Sequence, residues 1–534
     1  MLRTKSGCIT CRIRRVKCDE TKPECRRCLT SKRICDGYLS SSNKMSRREL
    51  VEVVRQLSII GPVSQALTKN PYSSNPTSKP LSSDDILFFN LFKHVTIPGT
   101  CKLFPSSFWE RNVMQLTHTE PAIWHAAIAL GAMHQRSEAQ ILGKNKEEDQ
   151  KLTRRAAAHY GEAMALAKDL GSGSKIGALS VMLASIASMM DRWAEMQQHV
   201  IAGLNIVSQN QGTSSELEAI RGSLMRLDLQ AMTFSDSNAP YPYEDSSSVF
   251  AVDQFLATPD TQELSLEDLS SEFFGLSRTM FILDGGDLSE SNLQGPWLTK
   301  LEGFLRRLSR WEKKMSKYED THQENPSERT TRLSLRMYHA ILRALISAQS
   351  FGSEMRWDSL LGHFEYIIRI IATLEAEEDT SHTFSLTLEP GMVIPLWMVI
   401  HRCRHYGLRH AGLQILRASK RIESMWKSGP TATTLATLVA VEEESLQSIN
   451  ADIYVPAPLD PSSLLPWSAW SNPTFQPRAT LDWYGVPLIP EMARVKDLLG
   501  ATRFSEGCVD LRLLMNPVNE GDTYGPVREI TAYF

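Results

Sequence analysis

Six cysteines in the first 35 residues repeat one spacing twice, and no other feature constrains the fold of the chain's beginning as strongly. The two halves of the repeat are Cys8-x2-Cys11-x6-Cys18 and Cys25-x2-Cys28-x6-Cys35. Thiolates at this spacing are preferred ligands of structural zinc, which takes four ligands in a tetrahedron. We therefore predict a zinc-binding module over residues 1–36.

The number of cysteines suits two zinc ions better than one. Two tetrahedral ions need eight ligand positions, and six thiolates fill them only if two sulfurs bridge both metals. A single four-thiolate site would leave two reactive cysteines beside a strongly basic surface. A disulfide framework would need an oxidising compartment, which we do not expect because the sequence begins without an apolar signal segment. We predict two zinc ions per chain.

Basic residues are interleaved with these cysteines, which indicates a nucleic-acid partner. Residues 1–48 contain 14 Lys and Arg against four Asp and Glu, a net charge of +10. Because the whole chain carries −3, residues 49–534 carry −13. Positive charge on a metal-organised surface is typical of modules that bind double-stranded DNA. The separation of charge predicts a DNA-binding arm attached to a body that does not bind DNA.

The cysteine pattern, with basic residues after Cys11 and Lys22-Pro23 before the fourth cysteine, resembles the fungal binuclear zinc cluster transcription factors. The resemblance implies that all six cysteines bind zinc and that Cys8 and Cys25 bridge the two ions. It also implies that a short helix follows each Cys-x2-Cys pair. The first of these helices would present its C-terminal end to the major groove.

The same resemblance assigns roles to the basic side chains. Arg14 and Arg15 occupy the positions of the family's base-reading residues, which typically read a CGG-like triplet. Arginine suits guanine because its planar guanidinium group can bond O6 and N7 together. The other candidates for DNA contact, which we expect to bind phosphates, are Arg12, Lys17, Arg26 and Arg27.

Residues 37–83 are predicted to form a linker that contains one short amphipathic helix. Apolar side chains recur at helical spacing from Leu50 to Ile60, but the pattern stops at Gly61-Pro62 after barely two heptads. A sustained coiled coil needs three or four heptads. A helix that packs on its own chain and one that pairs two copies in a homodimer therefore both stay open. Residues 62–83, rich in Ser, Pro, Asn and Thr, are typical of a flexible tether.

Residues 84–450 show helical periodicity and are predicted to form a large all-helical domain. We expect Ser83 to cap its first helix, and the apolar run from Ile176 to Met190 to be a buried helix too short to cross a bilayer. The region resembles the fungal-specific regulatory domain, especially over residues 104–109 and 120–134. This resemblance implies a helical regulatory body without chemistry of its own.

Beyond the first helix, further stretches of the body show apolar residues at helical spacing. They lie near residues 121–135, 151–170, 175–190, 193–208, 216–233, 296–316, 328–350, 356–375, 392–424 and 432–449. The acidic and apolar stretch 263–274 is instead expected to be a solvated helix end or a loop.

No catalytic constellation stands out in the sequence of the body, so we do not predict an enzyme. Gly171-Ser-Gly-Ser-Lys175 lacks the four-residue spacer and the Gly-Lys of a phosphate-binding loop, and we expect a turn between helices. His401 and His405 could bind a metal together, with Cys403 and His410 nearby. Arginines crowd these residues and disfavour a cation, so we expect a basic amphipathic helix instead.

Residues 451–534 differ in composition from the body. Eight prolines lie between Pro456 and Pro490, together with Trp467, Trp470 and Trp483. Acidic residues are sparse there, which disfavours an acidic activation segment, and the tryptophans favour an extended strap packed on the body.

These features predict a mainly α protein: a small two-zinc six-cysteine module (1–36), a flexible linker (37–83), a helical regulatory domain (84–450) and a Pro/Trp-rich irregular tail (451–534). We predict a nuclear, sequence-specific regulator of transcription by RNA polymerase II that controls metabolic or biosynthetic genes. Its expected partners are DNA and the transcription machinery or co-regulators, and no membrane. The alternative is an enzyme or an interaction protein that uses the zinc module only for targeting.

Overall fold

The computed structural model divides into two units, Met1–Gly61 and Pro62–Phe534. It describes residues 18, 19, 21, 25–30, 82–141, 143, 146–209, 214–234, 241–242, 265–285, 296–323, 325–348, 353–377, 384–446, 452–472, 474–504, 506–517 and 525–534. Nearly all of the predicted linker, including its amphipathic helix, lies outside these residues.

Helices dominate the described residues, which confirms the mainly α fold class. The first unit contributes helix α1 (Arg26–Thr30). The helices of the second unit are α2 (Ser83–Leu91), α3 (Ile97–Thr100), α4 (Val113–Leu116), α5 (Pro121–Ile141), α6 (Lys146–Leu166), α7 (Gly173–Met189), α8 (Trp193–Gln209), α9 (Ser215–Thr233), α10 (Leu266–Gly285), α11 (Pro296–Thr321), α12 (Pro326–Ala348), α13 (Leu361–Glu377), α14 (Val393–Arg402), α15 (Tyr406–Ala418), α16 (Ser428–Glu443) and α17 (Trp467–Trp470).

Two small three-stranded sheets accompany the helices. In the first, β1 (Ser385–Thr387) pairs in parallel with β2 (Arg421–Glu423), which pairs antiparallel with β3 (Trp426–Lys427). The second is the C-terminal sheet, in which β4 (Val495–Arg503), β5 (Cys508–Met515) and β6 (Val527–Tyr533) form an antiparallel meander. The sequence analysis predicted neither sheet.

Helix α2 begins with a capping box, one residue earlier than expected. The Ser82 hydroxyl accepts a hydrogen bond from the Asp85 N–H (3.2 Å), and the Asp85 carboxylate accepts one from the Ser82 N–H (3.1 Å). Ser83, the predicted cap, is already the first helical residue. Asp85 also accepts a hydrogen bond from Arg155 of α6, so the cap ties α2 to a second helix.

Helix α7 confirms the buried helix predicted from the apolar run. Its residues from Gly177 to Met189 are all buried. Its serines satisfy their hydroxyls within the helix, as Ser185 does by donating to the Val181 carbonyl (2.9 Å). A helix that is apolar on every side is stable only inside a core, and the neighbouring helices α8 and α9 pack against α7.

Helix α10 contradicts the expectation of a solvated end or loop for residues 263–274. It begins at Leu266, and Phe273 and Phe274 are completely buried. The ring of Phe273 lies 4.9 Å from that of Trp311 in α11, and Phe274 lies edge-on to Phe104. Acidic residues are common in the first turn of a helix, and here they made the whole stretch appear polar. The apolar face lies further along the same helix.

The helix predicted over residues 392–424 is interrupted. Helix α14 ends at Arg402, and α15 begins at Tyr406 with the His405 imidazole accepting a hydrogen bond from the Leu408 N–H (3.3 Å). The three intervening residues turn Arg404 into the core, where its side chain is fully buried. The predicted basic amphipathic helix is therefore wrong, because the arginines face buried carboxylates instead of solvent.

Candidate zinc centre and nucleic-acid interface

Three of the six predicted zinc ligands lie in the described part of the chain, and all three are buried. Cys18 is 6% exposed, and Cys25 and Cys28 are 0% exposed. The sulfur atoms of Cys18 and Cys25 and a carboxylate oxygen of Asp19 all lie within 4.8 Å of one another. Two buried thiolates this close together fit a shared tetrahedral zinc ion.

Helix α1 positions the second cysteine pair. The helix begins directly after Cys25 and includes Cys28, so it starts within the pair, whereas the resemblance implied a helix after it. The Cys28 N–H donates to the Cys25 sulfur (3.3 Å) and to the Cys25 carbonyl (3.0 Å). A backbone N–H aimed at sulfur suits a thiolate that carries negative charge, as a zinc ligand does.

Asp19 holds the start of α1, a role that the sequence analysis missed. One carboxylate oxygen accepts hydrogen bonds from the N–H groups of Thr21 (3.1 Å) and Arg26 (3.2 Å), and the other accepts from the Arg27 N–H (2.7 Å). The Thr21 hydroxyl also donates to Asp19, and this bond is the largest cause of the lowered pKa of Asp19. Asp and Thr between the third and fourth cysteines were the available signal, since both are typical capping residues.

The geometry separates the roles of Asp19 and the cysteines. Both oxygens of Asp19 accept backbone hydrogen bonds at the start of α1, so its carboxylate caps this helix. The sulfurs of Cys18 and Cys25 lie close enough together to hold one metal ion.

Two predicted phosphate-binding residues lie on the surface of the same helix. Arg26 and Arg27 are exposed, while Cys28, one position later, is buried. The short helix thus carries sulfur on its inner side and guanidinium groups on its outer side, the arrangement expected of a metal-organised basic surface. The remaining predicted ligands and DNA contacts lie outside the described residues: Cys8, Cys11, Cys35, Arg12, Arg14, Arg15 and Lys17.

The histidines considered as metal ligands in the body are not brought together. His401 is fully buried beside Trp397, whereas His405 caps α15 and His410 contacts Glu443 (3.0 Å). In the described part of the chain, the one cluster of at least three Cys, His, Asp or Glu side chains at ligand distance is Cys18, Asp19 and Cys25. The predicted turn at Gly171–Lys175 leads directly into α7, and Lys175 forms an ion pair with Glu120 (2.7 Å).

Comparison with protein families matches both parts of the chain. Residues 6–45 match the fungal Zn(2)-Cys(6) binuclear cluster domain, and residues 87–386 match the fungal specific transcription factor domain. The second match alone covers more than half of the 534 residues. The chain belongs to the fungal zinc cluster transcription factors. The suspected family is thereby confirmed.

Similar proteins carry related descriptions. The chain is 28% identical to the aspercryptin biosynthesis cluster-specific transcription regulator atnN of Emericella nidulans, over 39% of this chain and 35% of that protein. It is 23% identical to the transcription regulator lscL of Purpureocillium lilacinum, over 65% of this chain and 89% of lscL. It is 31% identical to the transcriptional regulatory protein moc3 of Schizosaccharomyces pombe, over 22% of this chain and 27% of moc3.

These matches differ in how much of each relative they cover. The chain spans about a third of atnN and about a quarter of moc3, so the similarity to those two proteins is partial. No solved structure matches the chain.

Family membership indicates the general function of the chain. The descriptions of the two matched domains and the names of the relatives point to a DNA-binding transcription regulator with a zinc cluster domain, and not to an enzyme. Among the described residues, no helix has both the length and the apolar character needed to cross a membrane.

Proposed function

We propose that the protein is a nuclear regulator of transcription by RNA polymerase II that reads CGG-like triplets in the major groove of DNA. One observation carries the proposal. Within the matched cluster domain, Cys18 and Cys25 lie at ligand distance, and the adjoining helix α1 directs Arg26 and Arg27 to the surface. A buried metal side and an exposed basic side on one short helix suit the neutralisation of DNA phosphates.

Two zinc ions on six cysteines complete this module in our proposal. Cys8 and Cys25 bridge the ions, and each ion takes two further sulfurs from Cys11, Cys18, Cys28 and Cys35. Zinc supplies folding energy to so small a module and takes no part in a reaction. Native mass spectrometry of the full chain should show two zinc ions bound. A single bound ion would contradict the bridged cluster.

The basic side chains divide the work of DNA binding. Arg14 and Arg15 contact guanine edges, where their planar groups discriminate between bases. Arg12, Lys17, Arg26 and Arg27 contact phosphates, where charge matters more than geometry. This division follows the positions of these residues in the cysteine repeat, and it predicts different consequences for the two groups of substitutions.

A pair of variants tests the division directly. Arg15→Ala should relax the preference for one triplet in a randomised DNA library, because a base contact is lost. Lys17→Ala should weaken binding by a similar factor for every sequence and make the salt dependence shallower by about one unit of log–log slope. Equal losses on all sequences for both variants would contradict the assigned roles.

The rest of the chain is proposed to regulate the DNA-binding arm. Residues 37–83 link the module (1–36) to the helical regulatory domain (84–450), and residues 451–534 pack on that domain as a strap that ends in the C-terminal sheet. The regulated genes are metabolic or biosynthetic, a proposal supported by the name of atnN, which describes a regulator specific to one biosynthetic gene cluster.

Mapping DNA occupancy across the genome of the source organism tests the choice of genes. Peaks upstream of a biosynthetic or metabolic gene set, centred on CGG-like triplets, are the expected outcome. The spacing of paired triplets in those peaks would show whether the regulator binds as a homodimer. Pull-down of the DNA-bound chain from nuclear extract should recover co-regulators, and peaks without a common motif would contradict sequence-specific reading.

A further inference from the structure

Strand β6 has a partner strand on only one side in the described part of the chain. It is the last strand of the C-terminal sheet, in which the order is β4-β5-β6, and it pairs with β5 from Val527 to Tyr533. A free strand edge presents a row of N–H and C=O groups that a further strand can bind. We call this free side of the strand the β6 edge.

The opposite edge of the same sheet is occupied where β4 begins. The Val495 N–H donates to Glu442 (2.7 Å), and the Val495 carbonyl accepts from Arg404 (3.1 Å). The next carbonyl, that of Lys496, accepts from Arg402 (2.8 Å). Side chains of the helical body thus bind the backbone at the start of β4, whereas β6 can be extended along its whole length.

The register of β6 determines which of its backbone groups lie at the free edge. Alternate residues of an antiparallel strand bond the neighbouring strand, and the residues between them point away from it. The Met515 N–H of β5 donates to the carbonyl of Pro526, just before β6 (3.1 Å). The Phe534 N–H, just after β6, donates to the Gly507 carbonyl beside β5 (2.9 Å). Alternation between these two points directs the N–H and C=O groups of four residues to the β6 edge: Val527, Glu529, Thr531 and Tyr533.

Four exposed side chains accompany these backbone groups. Val527 and Tyr533, at the two ends of the strand, are 44% and 75% exposed. Between them, Glu529 and Thr531 are exposed as well. Because side chains alternate between the two faces of a strand, all four lie on one face. The face therefore carries an apolar residue at each end and two polar residues in the middle, arranged symmetrically about Ile530.

A second copy of β6 fits this edge in an antiparallel register centred on Ile530. A two-fold axis there places Val527 opposite Tyr533 of the partner subunit, and Glu529 opposite Thr531 of the partner subunit. Every N–H and C=O group that the four residues direct to the edge then meets a group of the opposite kind. An aromatic ring opposite a β-branched side chain is a favourable cross-strand pair, and a carboxylate opposite a hydroxyl avoids like charges.

Neighbouring registers are less favourable. An axis through Glu529 would place two carboxylates opposite each other, and like charges in this position are destabilising. An axis through Thr531 would leave Val527 beyond the end of the partner strand. The complementarity of the edge with itself in one register favours a second copy of the chain as the strand that binds it.

We propose that two copies of the chain associate through their β6 edges and join their C-terminal sheets into one continuous antiparallel sheet. A single pair of strands is smaller than the interfaces of about 1,000 Å² or more that hold stable dimers, so the association is reversible and occurs at micromolar concentration. The pairing needs neither DNA nor the linker helix, and it does not depend on which DNA sequence the regulator reads.

Sedimentation of the full chain without DNA tests the association. We expect an equilibrium between monomer and dimer that shifts towards the dimer as the concentration rises through the micromolar range. Glu529→Pro removes an N–H at the free edge and none of the hydrogen bonds to β5, a change that an edge strand tolerates. This variant should melt close to the unmodified chain and dimerise about tenfold more weakly, because proline cannot donate and its ring obstructs the edge.

A change of charge should act in both directions. Thr531→Lys places an ammonium group opposite Glu529 of the partner subunit and should tighten the dimer about fivefold, because the symmetry creates two such pairs. Adding Glu529→Lys places like charges opposite each other and should reverse this gain. Added salt should weaken the Thr531→Lys dimer more than the unmodified one.

A pair of cysteine substitutions on the same face of β6 identifies the register. Ile530→Cys lies on the two-fold axis, where two opposed Cα atoms are close enough for a disulfide, and it should cross-link the dimer under mild oxidation. Ala532→Cys is the control. It lies opposite Arg528 of the partner subunit and too far from its own counterpart to cross-link. The unmodified chain gives the background from its own cysteines.

Three results would overturn the proposal. The first is a full chain that stays monomeric throughout the micromolar range. The second is a Glu529→Pro variant that melts like the unmodified chain and dimerises equally well, which would place the interface elsewhere. The third is equal cross-linking of Ile530→Cys and Ala532→Cys, and this comparison decides the question even if the proline variant does not fold.

Discussion

At the scale of single residues, Glu442 is the centre of a buried group of charges. One of its oxygens accepts hydrogen bonds from Arg404 (2.9 Å) and from the Val495 N–H (2.7 Å), and the other accepts from Arg409. The side chains of all three charged residues are 0% exposed. Burial opposes ionisation of Glu442, but the two arginines outweigh it and lower the pKa of the carboxyl. One carboxylate thus joins α15, α16 and β4.

Replacing Glu442 should therefore be costly. Glu442→Gln removes the carboxylate paired with buried Arg409 and one of the two carboxylates paired with buried Arg404, and we expect a loss of about 3–5 kcal/mol in the free energy of unfolding. Urea denaturation measures this loss. The control is Glu444→Gln, which removes an ion pair with Arg528 whose side chains are 60% and 48% exposed, and which should cost at most about 1 kcal/mol. Similar losses in both variants would contradict the importance of burial.

His363 provides a prediction about pH. It is completely buried, and neither ring nitrogen has a hydrogen-bond partner among the described residues. Burial, assisted by His339 and Arg343, lowers its pKa to about 3. The unfolded chain binds a proton on this histidine below about pH 6.5, whereas the folded chain does not, so acid favours unfolding. The stability from neutral His363 is full above that pH and falls as the pH decreases towards 3.

The variant His363→Leu tests this dependence. Between about pH 6.5 and 5, its free energy of unfolding should fall less steeply than that of the unmodified chain, by an amount that rises to about 1.4 kcal/mol per pH unit at the lower pH. At neutral pH the two proteins should be similarly stable, because the substitution breaks no hydrogen bond of the ring. Denaturation at several pH values would show parallel profiles if His363 were protonated in the folded chain.

At the scale of elements, the contact between α2 and α5 depends on a missing side chain. A Cβ atom at Gly131 would lie 1.9 Å from the Phe88 carbonyl oxygen. Gly131→Ala should force the two helices apart and destabilise the second unit by about 1–3 kcal/mol. At Gly161, in α6, no described atom outside the local helix backbone lies within 4 Å of the equivalent position, and Gly161→Ala should raise stability by about 0.5–1 kcal/mol. Thermal denaturation would contradict this account if both changes had the same sign.

Some helices of the second unit could be predicted from the sequence and others could not. Helices with long apolar periodicity, such as α7, are predictable because a repeat of 3.6 residues has one common structural cause. The break after Arg402 was not predictable in the same way, because the three residues between the helices, 403–405, include neither glycine nor proline. Buried pairing of Arg404 with Glu442 and with Glu354 (3.1 Å) depends on parts of the chain that periodicity does not relate.

The sequence of the C-terminal sheet contains the alternating pattern of a strand. The pattern was missed because the segment before it is rich in proline. In β5, Val509, Leu511, Leu513 and Met515 are buried at every second position, which is the period of a strand with one covered face.

The candidate zinc site was also predictable only in part. Its cysteines are evident from spacing alone, whereas the capping of α1 by Asp19 needs the backbone conformation.

At the scale of the whole molecule, the segment 452–494 is built into the helical body of the second unit. A Cβ atom at Gly362 of α13 would lie 1.8 Å from the Pro477 carbonyl oxygen, so this segment runs directly against the helix. The Glu365 carboxylate accepts a hydrogen bond from the Thr480 N–H (2.7 Å). Trp467 is 2% exposed and packs edge-on against Trp311 of α11, with the centroids 5.1 Å apart. These contacts predict that the tail and the helices fold together.

Expression of the chain as two separate fragments tests whether the tail and the helices fold together. Residues 1–450 expressed alone should aggregate, because Trp311 and the adjoining faces of α12 and α13 would become exposed to water. The same fragment expressed together with residues 451–534 should yield a soluble complex of the two polypeptides. Size-exclusion chromatography distinguishes these outcomes, and a soluble fragment 1–450 with a cooperative melting transition would contradict the prediction.

Two substitutions in the shorter fragment identify what holds the complex together. Trp467→Ala removes a buried ring and should weaken the association by about 3–5 kcal/mol, so that the fragments separate during purification. Tyr484→Ala alters a residue in the same segment that is 95% exposed, and it should leave the complex intact. If both variants co-purified equally well with residues 1–450, packing of the tail on the helices could not be the cause of the association. If only the tyrosine variant did, the buried tryptophan would be established as the anchor of the tail.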